Sequence, residues 1–163
     1  MLPGDAIFQF MDTVGDGSGT TNAIGDYTTP DDFIFEAQGD AYLHRLLISI
    51  EDDSGMTAEE YGNIAALTNG WELKAYDQGG TEILDLTAGI VVQSNAHIGR
   101  VCFDVDIKSW GTTPTNEVLV ARWSFDKAGQ PLQLAKGEQL RVELADNFAG
   151  IIGHYFMVQG YYV

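Results

Sequence analysis

Short apolar runs with a two-residue period, separated by glycine-containing turns, constrain this chain most. Near the C-terminus, Leu140, Val142 and Leu144 alternate with polar residues. This period puts all three side chains on one face of a β-strand, because successive side chains of a strand point to opposite faces. Nineteen glycines in 163 residues provide the turns between such runs. The pattern predicts an all-β chain.

Strand patterns recur every 8–12 residues or so from Phe33 onward, which is typical of a β-sandwich. The run from Tyr42 to Ile50 is apolar on most of both faces, so we expect a central strand there. The side chains predicted to share one face of a strand are His44, Leu46, Ile48 and Ile50; Trp71, Leu73 and Ala75, which face inward; Val101, Phe103, Val105 and Ile107, on the buried face of a strand from Arg100 to Lys108; and Leu119, Ala121, Trp123 and Phe125.

One short helical turn is expected at Thr57. Thr57 and Glu60 have the spacing of a capping box, and Gly62 would stop the helix from growing. Residues 1–30 differ from the rest, because an alternating run near Ile7 is followed by a stretch rich in Gly, Thr and Asp. We therefore predict an N-terminal arm and loop over 1–30 and an antiparallel β-sandwich, in the form of a jelly roll, over 31–163.

The charge and the apolar runs exclude several classes of partner. Lysine and arginine number 8 against 24 acidic residues, a net charge of −16, which argues against binding to nucleic acid or to an anionic membrane surface. No apolar run approaches the roughly 20 residues of a membrane span. The first residues lack the basic region of a signal peptide, so we expect a protein made in a cytoplasm.

Catalytic motifs are scarce, and we predict no enzymatic activity and no cofactor. Ser18 lies in a glycine-rich stretch rather than in a nucleophile elbow. The three histidines, His44, His97 and His154, lie far apart along the chain, so we expect each to make a local hydrogen bond. Cys102 cannot form an internal disulfide, and we expect a structural thiol on the polar face of its strand.

Two interpretations of the acidic residues stay open: they bind calcium, or they lie in solvated loops. Asp12, Asp16 and Asp26 share one segment, and residues 51–53 form an acidic run. Calcium takes six to eight oxygen ligands, but the EF-hand spacing fails at Val14 and Ala23. We therefore predict no metal site. A glycosidase would need two carboxyl groups in one cleft, and the sequence singles out none of its 24.

Eighteen aromatic residues are expected to lie mostly in the core. Trp110 and Tyr61 fall in predicted loops and are the better candidates for exposed contacts. The C-terminal Tyr161 and Tyr162 would either cap the core or face a neighbouring subunit. The aromatic content therefore leaves a contact surface possible without identifying a ligand.

Four segments together resemble a set of small tailed-phage proteins that are virion structural components. These segments are Gly19 to Tyr27, Arg45 to Asp52, Val105 to Gly111 and His154 to Tyr162. Within that class the chain looks most like the capsid decoration, or cement, proteins. The resemblance implies a β-sandwich or jelly roll that assembles as a homotrimer on the head exterior and binds the major capsid protein. It carries no catalytic residues.

An acidic sandwich with an extendable arm is compatible with that role. We expect the segment from Leu2 to Asn22 to reach a neighbouring subunit, with Ile7, Phe8 and Phe10 as anchors. The alternative is that Ile7 and Phe10 complete the sheet of their own domain. Trp110, Tyr161 and Tyr162 are the other candidate contacts. Rival functions are a collar, tail or head-fibre subunit that binds a host-surface glycan, and a cellular carbohydrate-binding module.

Overall fold

The part of the chain that the computed structural model describes contains ten β-strands and one short helix, joined by turns and loops. These residues are 4–12, 32–102, 104–110, 116–125, 129–144, 146, 148 and 150–163. The elements are β1 Ala6–Asp12, β2 Phe33–Glu36, β3 Ala41–Asp52, β4 Trp71–Tyr76, β5 Glu82–Asp85, α1 Asn95–Val101, β6 Asp104–Trp110, β7 Asn116–Ser124, β8 Leu132–Leu134, β9 Gln139–Leu144 and β10 Gly153–Tyr162.

The strands form two packed antiparallel sheets, which confirms the predicted all-β sandwich. The larger sheet has the order β1-β10-β3-β7-β6, and β8 pairs with the end of β3 that β7 leaves free. The smaller sheet has the order β2-β9-β4-β5. The finer prediction, a jelly roll, stays a prediction.

The predicted central strand is confirmed as β3. It pairs with β10 on one side and with β7 and β8 on the other, so both edges of its backbone are hydrogen-bonded. The inner face of β3 is buried, with Leu46, Ile48 and Ile50 fully enclosed. Complete burial of one such side chain contributes roughly 1.5–3 kcal/mol to the free energy of unfolding.

The predicted inward residues of four strands lie in the core between the sheets. The residues that are buried as predicted are Leu46, Ile48 and Ile50; Trp71, Leu73 and Ala75; Leu119, Ala121, Trp123 and Phe125; and Leu140, Val142 and Leu144. In β4, β7 and β9 buried residues alternate with less buried ones, whereas β3 is apolar on most of both faces. The hydrophobic period therefore fixes the orientation of β4, β7 and β9.

The N-terminal strand β1 belongs to the same domain. It pairs antiparallel with β10 from Ala6 to Asp12, and Ile7 is buried. Gln9 also donates its side-chain N–H to the backbone oxygen of Ile34 in β2, at 2.8 Å. Within this chain, residues 6–12 therefore complete the sandwich at one edge. Residues 1–3 and 13–31, which hold the rest of the expected arm and its loop, lie outside the described residues.

The helix forms at a different place from the predicted one. Thr57 does donate its backbone N–H and its hydroxyl to the Glu60 carboxylate, at 3.0 and 2.8 Å, yet no helix follows. Instead Tyr61 and Ile64 bond each other's backbones in a tight turn, and Gly62 adopts φ +59°. This turn brings Tyr61 into the core, so tertiary burial overrides the local helix signal.

Helix α1 occupies part of the expected strand from Arg100 to Lys108. Ser94 caps it by accepting the backbone N–H of His97 at 3.3 Å, and β6 starts only at Asp104. The prediction for Val105 is wrong, because this residue is exposed at the edge of the larger sheet. The prediction for Cys102 is also wrong, because its side chain is buried directly after α1. Phe103 and the side chain of Ile107 lie outside the description.

A β-bulge interrupts the pairing of β3 with β10. Gln159 lies opposite Arg45, but Gly160 lies opposite Leu43, so His44 is the extra residue. Leu43 therefore faces the core, and the prediction that His44 rather than Leu43 shares a face with Leu46 is wrong. Gly160 is required at this point because a Cβ there would overlap the carbonyl oxygen of Tyr42. The close pairing of β3 with β10 at the bulge thus depends on a residue without a side chain.

We predict that Gly160→Ala lowers the free energy of unfolding by about 2–4 kcal/mol, because β3 and β10 must separate to admit the methyl group. Chemical denaturation of purified protein measures this change. Gly99→Ala is the matched control: Gly99 lies in α1 with open space around its Cα, so alanine there is expected to stabilise by about 0.5–1 kcal/mol. Equal stabilities of Gly160→Ala and the wild type would contradict the prediction.

Candidate functional site

The outward face of the larger sheet carries a group of aromatic and aliphatic side chains beside polar ones such as Arg45 and Gln159, and it is the candidate functional site. The residues between the buried positions of its strands point away from the core. We define the outer aromatic face as Phe8, Tyr42, His44, Leu47, Tyr155, Met157 and Tyr161. Phe8 has 66% of its surface exposed and Tyr161 has 39%. Large apolar groups at such exposure, gathered on one face, mark an interaction surface.

Three rings form a stack at one end of this face. The ring centroids of Tyr42 and Tyr161 are 5.6 Å apart at an interplanar angle of 18°, and those of His44 and Tyr161 are 5.3 Å apart. The bulge builds the stack, because it turns Tyr42 and His44 outward while Leu43 stays in the core. Stacked aromatic side chains have few accessible rotamers, so they present a rigid contact area.

The outward face of the smaller sheet has a different chemistry. Lys74 lies 3.2 Å from the Glu72 carboxylate and 3.5 Å from the carboxylates of Glu82 and Glu143. These contacts hold the pKa of Lys74 above its usual value. The Arg141 guanidinium lies 4.3 Å above the centre of the Tyr76 ring. This face is a charged network typical of a surface in water, so it is the less suitable of the two for apolar contact.

The structure brings two of the six predicted contact residues onto the outer aromatic face. Phe8 and Tyr161 lie there, on the adjacent strands β1 and β10. Ile7 and Tyr162 are buried in the core of their own domain. Phe10 and Trp110 lie in β1 and β6, but their side chains are outside the description. Sequence reasoning missed Tyr42, Leu47, Tyr155 and Met157, because their outward position follows from register rather than from local sequence.

Tyr61, the other residue expected to be exposed, lies in a fully buried polar network. The Trp71 indole Nε1 donates to the Tyr61 hydroxyl at 2.9 Å, and that hydroxyl lies 2.6 Å from His154 Nε2. Since an indole N–H only donates, we assign the hydroxyl proton to the bond with His154, which leaves Nε2 without a proton. Burial lowers the pKa of His154 to about 3. The network is therefore neutral and stabilises the core.

Other candidate reactive groups are also held in structural contacts. His97 accepts the backbone N–H of Gln93 at 3.1 Å through Nδ1. Burial raises the pKa of the Cys102 thiol to about 12, so the reactive thiolate is scarce at neutral pH. His97 and Cys102 therefore have structural roles, and neither side chain belongs to the outer aromatic face.

The acidic run at residues 51–53 anchors a loop. Asp52 is fully buried, and its carboxylate accepts the backbone N–H of Asn63 at 2.8 Å. Asp53 lies 3.3 Å from the Asn63 side-chain amide. Asp16, Asp26 and the side chain of Asp12 lie outside the description. Among the described residues, no group of three or more His, Cys, Asp or Glu side chains is placed to hold a metal ion.

The described part of the chain contains no helix with the length and apolar character needed to cross a membrane.

The chain matches no protein-family model and no curated protein. Among solved structures it is similar to a CocE/NonD family hydrolase from Staphylococcus aureus, with 10% sequence identity and a TM-score of 0.37. The similarity covers 99% of this chain and 33% of the hydrolase, so the chain spans about a third of that protein's length. A likeness this weak carries no argument about activity.

The buried carboxyl group of Asp52 predicts that the stability of the fold depends on pH. Burial raises the pKa of Asp52 from 3.8 to about 6, so its protonated form favours the folded state. The resulting stabilisation is complete below about pH 4 and is lost as the pH rises through 6. We expect acidification from pH 7.5 to 4 to stabilise the wild type relative to Asp52→Asn by up to about 3 kcal/mol.

Denaturation curves of both proteins at a series of pH values measure this difference. Asp104 is exposed and lies in β6, away from Asp52, so Asp104→Asn is the control and is expected to show the same change in stability with pH as the wild type. A gap between the wild type and Asp52→Asn that does not change with pH would show that the buried carboxyl does not titrate in this range.

Proposed function

We propose that this chain is a non-enzymatic structural protein of a tailed-phage virion, acting as a capsid decoration, or cement, protein on the head exterior. The observation that carries the proposal is the outer aromatic face, a rigid apolar surface on one side of a β-sandwich. A structural subunit needs such a surface to hold a neighbour. In this proposal the neighbours are the major capsid protein and other copies of the chain, as a homotrimer.

The resemblance to phage virion proteins adds support through the segments that carry it. Arg45 to Asp52 lies in β3, His154 to Tyr162 lies in β10, and Val105 to Trp110 lies in β6. All three strands belong to the larger sheet, which presents the outer aromatic face. The strand orders β1-β10-β3-β7 and β2-β9-β4-β5 also support a jelly-roll connectivity, which we propose for the sandwich.

The charge of the chain is compatible with the outside of a capsid. A net charge of −16 repels packaged DNA and keeps the free protein soluble before assembly. Contact through the outer aromatic face avoids bringing the Glu72, Glu82 and Glu143 carboxylates of the smaller sheet close to a neighbour. The proposal therefore assigns attachment to the larger sheet and solvent exposure to the smaller one.

The copy number of the chain in virions tests the proposal. Quantitative mass spectrometry of purified virions, from a phage whose genome encodes the chain, gives its ratio to the major capsid protein. We expect a simple ratio corresponding to hundreds of copies, since cement proteins repeat with the capsid lattice. A dozen or so copies would instead support a collar, tail or fibre subunit, and absence from the virion would overturn the proposal.

A substitution on the outer aromatic face tests where attachment occurs. We expect Phe8→Ser to weaken binding to capsids that lack the protein by at least about tenfold, because Phe8 is the most exposed large apolar side chain described. Ile34→Ser, on the smaller sheet, is the matched control and is expected to bind normally. Cosedimentation with capsids measures both. Normal binding by Phe8→Ser would exclude Phe8 as a contact.

A further inference from the structure

The loop that leads into β4 carries the one asparagine-glycine pair of this chain, Asn69–Gly70. Asparagine before glycine is especially prone to deamidation, because glycine has no side chain to shield its backbone nitrogen from the neighbouring side-chain amide. Asn69 is exposed to water, whereas Gly70 is buried directly before the buried Trp71. The loop therefore places a chemically labile side chain at the surface, next to a core position.

The fold requires glycine at position 70. Gly70 has φ +75°, a left-handed conformation that favours glycine. A Cβ there would lie 2.6 Å from both the Val91 side chain and the Val92 carbonyl oxygen. Trp71 exchanges two backbone hydrogen bonds with Val92, at 3.0 and 2.8 Å, and these bonds fix the close approach. A side chain at position 70 that would slow deamidation therefore does not fit, and Asn69 keeps its labile partner.

The Asp146 carboxylate accepts hydrogen bonds from three successive backbone amides of this loop. The N–H groups of Thr68 and Asn69 donate to it at 2.9 Å each, and that of Gly70 donates at 2.5 Å. Consecutive N–H groups that point at one anion form a nest, and here the anion is a side chain of the same chain. Because the acceptor is charged, these bonds hold the three peptide groups more strongly than neutral acceptors would.

Deamidation begins at the Gly70 nitrogen, which Asp146 holds. This nitrogen attacks the side-chain carbonyl carbon of Asn69, so that a C–N bond closes a succinimide ring. The C–N bond of the side-chain amide breaks, and its nitrogen leaves as ammonia with the proton that Gly70 gives up. Water then adds across one C–N bond of the ring and yields aspartate or isoaspartate.

The carboxylate of Asp146 opposes the first of these steps. Loss of the Gly70 proton would place a negative nitrogen in contact with a negative carboxylate, and the two charges repel each other. Ring closure also requires the Gly70 peptide group to turn towards the Asn69 side chain, which breaks its hydrogen bond to Asp146. Both effects raise the barrier for as long as the loop stays folded.

We infer that Asn69 is the site at which this chain deamidates, and that Asp146 delays the reaction in the folded protein by holding the Gly70 amide. The product alters the loop, because isoaspartate adds a methylene group to the main chain and a negative charge at position 69. The altered main chain no longer matches the spacing of the three amides that Asp146 binds. This inference does not depend on the proposed virion role.

Incubation of the purified full-length protein in mildly alkaline buffer tests the inference, with peptide mapping by mass spectrometry at intervals. We expect Asn69 to convert at least about tenfold faster in Asp146→Ala than in the wild type. Gln93→Ala is the matched control. The Gln93 side-chain amide donates to the Thr68 carbonyl oxygen of the same loop at 2.9 Å, so its removal loosens the loop without releasing the Gly70 nitrogen. The conversion rate of Asn69 in this control should change less than twofold.

A second variant covers the case in which Asp146→Ala does not fold, which circular dichroism detects. Asp146→Asn keeps the shape of the side chain and one acceptor oxygen but removes the charge. Its conversion rate at Asn69 should lie between those of the wild type and Asp146→Ala, and the peptide map separates Asn69 from the introduced asparagine.

Three results would overturn the inference. Equal rates at Asn69 in the wild type and the Asp146 variants would show that the carboxylate gives no protection. Slower conversion in the variants would show that it acts instead as a base for the Gly70 nitrogen. Faster conversion of another asparagine in the folded wild type would move the site elsewhere. None of these results bears on copy number in virions, so the inference and the proposed function can fail separately.

Discussion

The pairing of β3 on both of its edges supports the rest of the structure. Its inner face contributes Leu46, Ile48 and Ile50 to the core, and its backbone holds β10 on one side and β7 on the other. Strand β8 also pairs with β3, while β1 pairs with β10 and β6 pairs with β7. The positions of five strands therefore depend on the register of β3. A slip of one residue in β3 would bring polar side chains into the core, so the burial pattern enforces the register.

The parts of the fold that sequence could predict are those where one local pattern decides the outcome. The alternation in β4, β7 and β9 determines which side chains are buried, because a half-buried strand has only two possible orientations. The helix could not be predicted in the same way. Glu60 makes its half of the predicted capping box by accepting the Thr57 backbone N–H, but no helix follows, since burying Tyr61 against His154 requires a tight turn there. Helix α1 packs on the part of the larger sheet that the narrower sheet does not reach. That uncovered surface depends on the number of strands in each sheet, which the local sequence around α1 does not reveal.

The same limit applies to the candidate surfaces. Phe8 could be selected because it lies in an apolar run that precedes a stretch rich in Gly, Thr and Asp, and Tyr161 because it belongs to an aromatic run at the C-terminal end. Leu47 and Met157 could not be selected, because they face outward only as a consequence of the pairing of β3 with β10. The cleft between β5, β8 and the end of α1 is less predictable still. Its lining comes from three strands, the end of α1 and two loops, which meet only once the two sheets are packed.

The bulge at His44 connects the stability of the sandwich with the proposed contact surface. Without the extra residue, the alternation that buries Leu46 would also turn His44 inward and Leu43 outward. The bulge reverses this order, so that Leu43 joins the core while Tyr42 and His44 stack with Tyr161 outside. Gly160 permits the reversal by letting the two backbones approach closely. One residue without a side chain therefore fixes both a core position and the aromatic stack, which is why damage at Gly160 is expected to affect both.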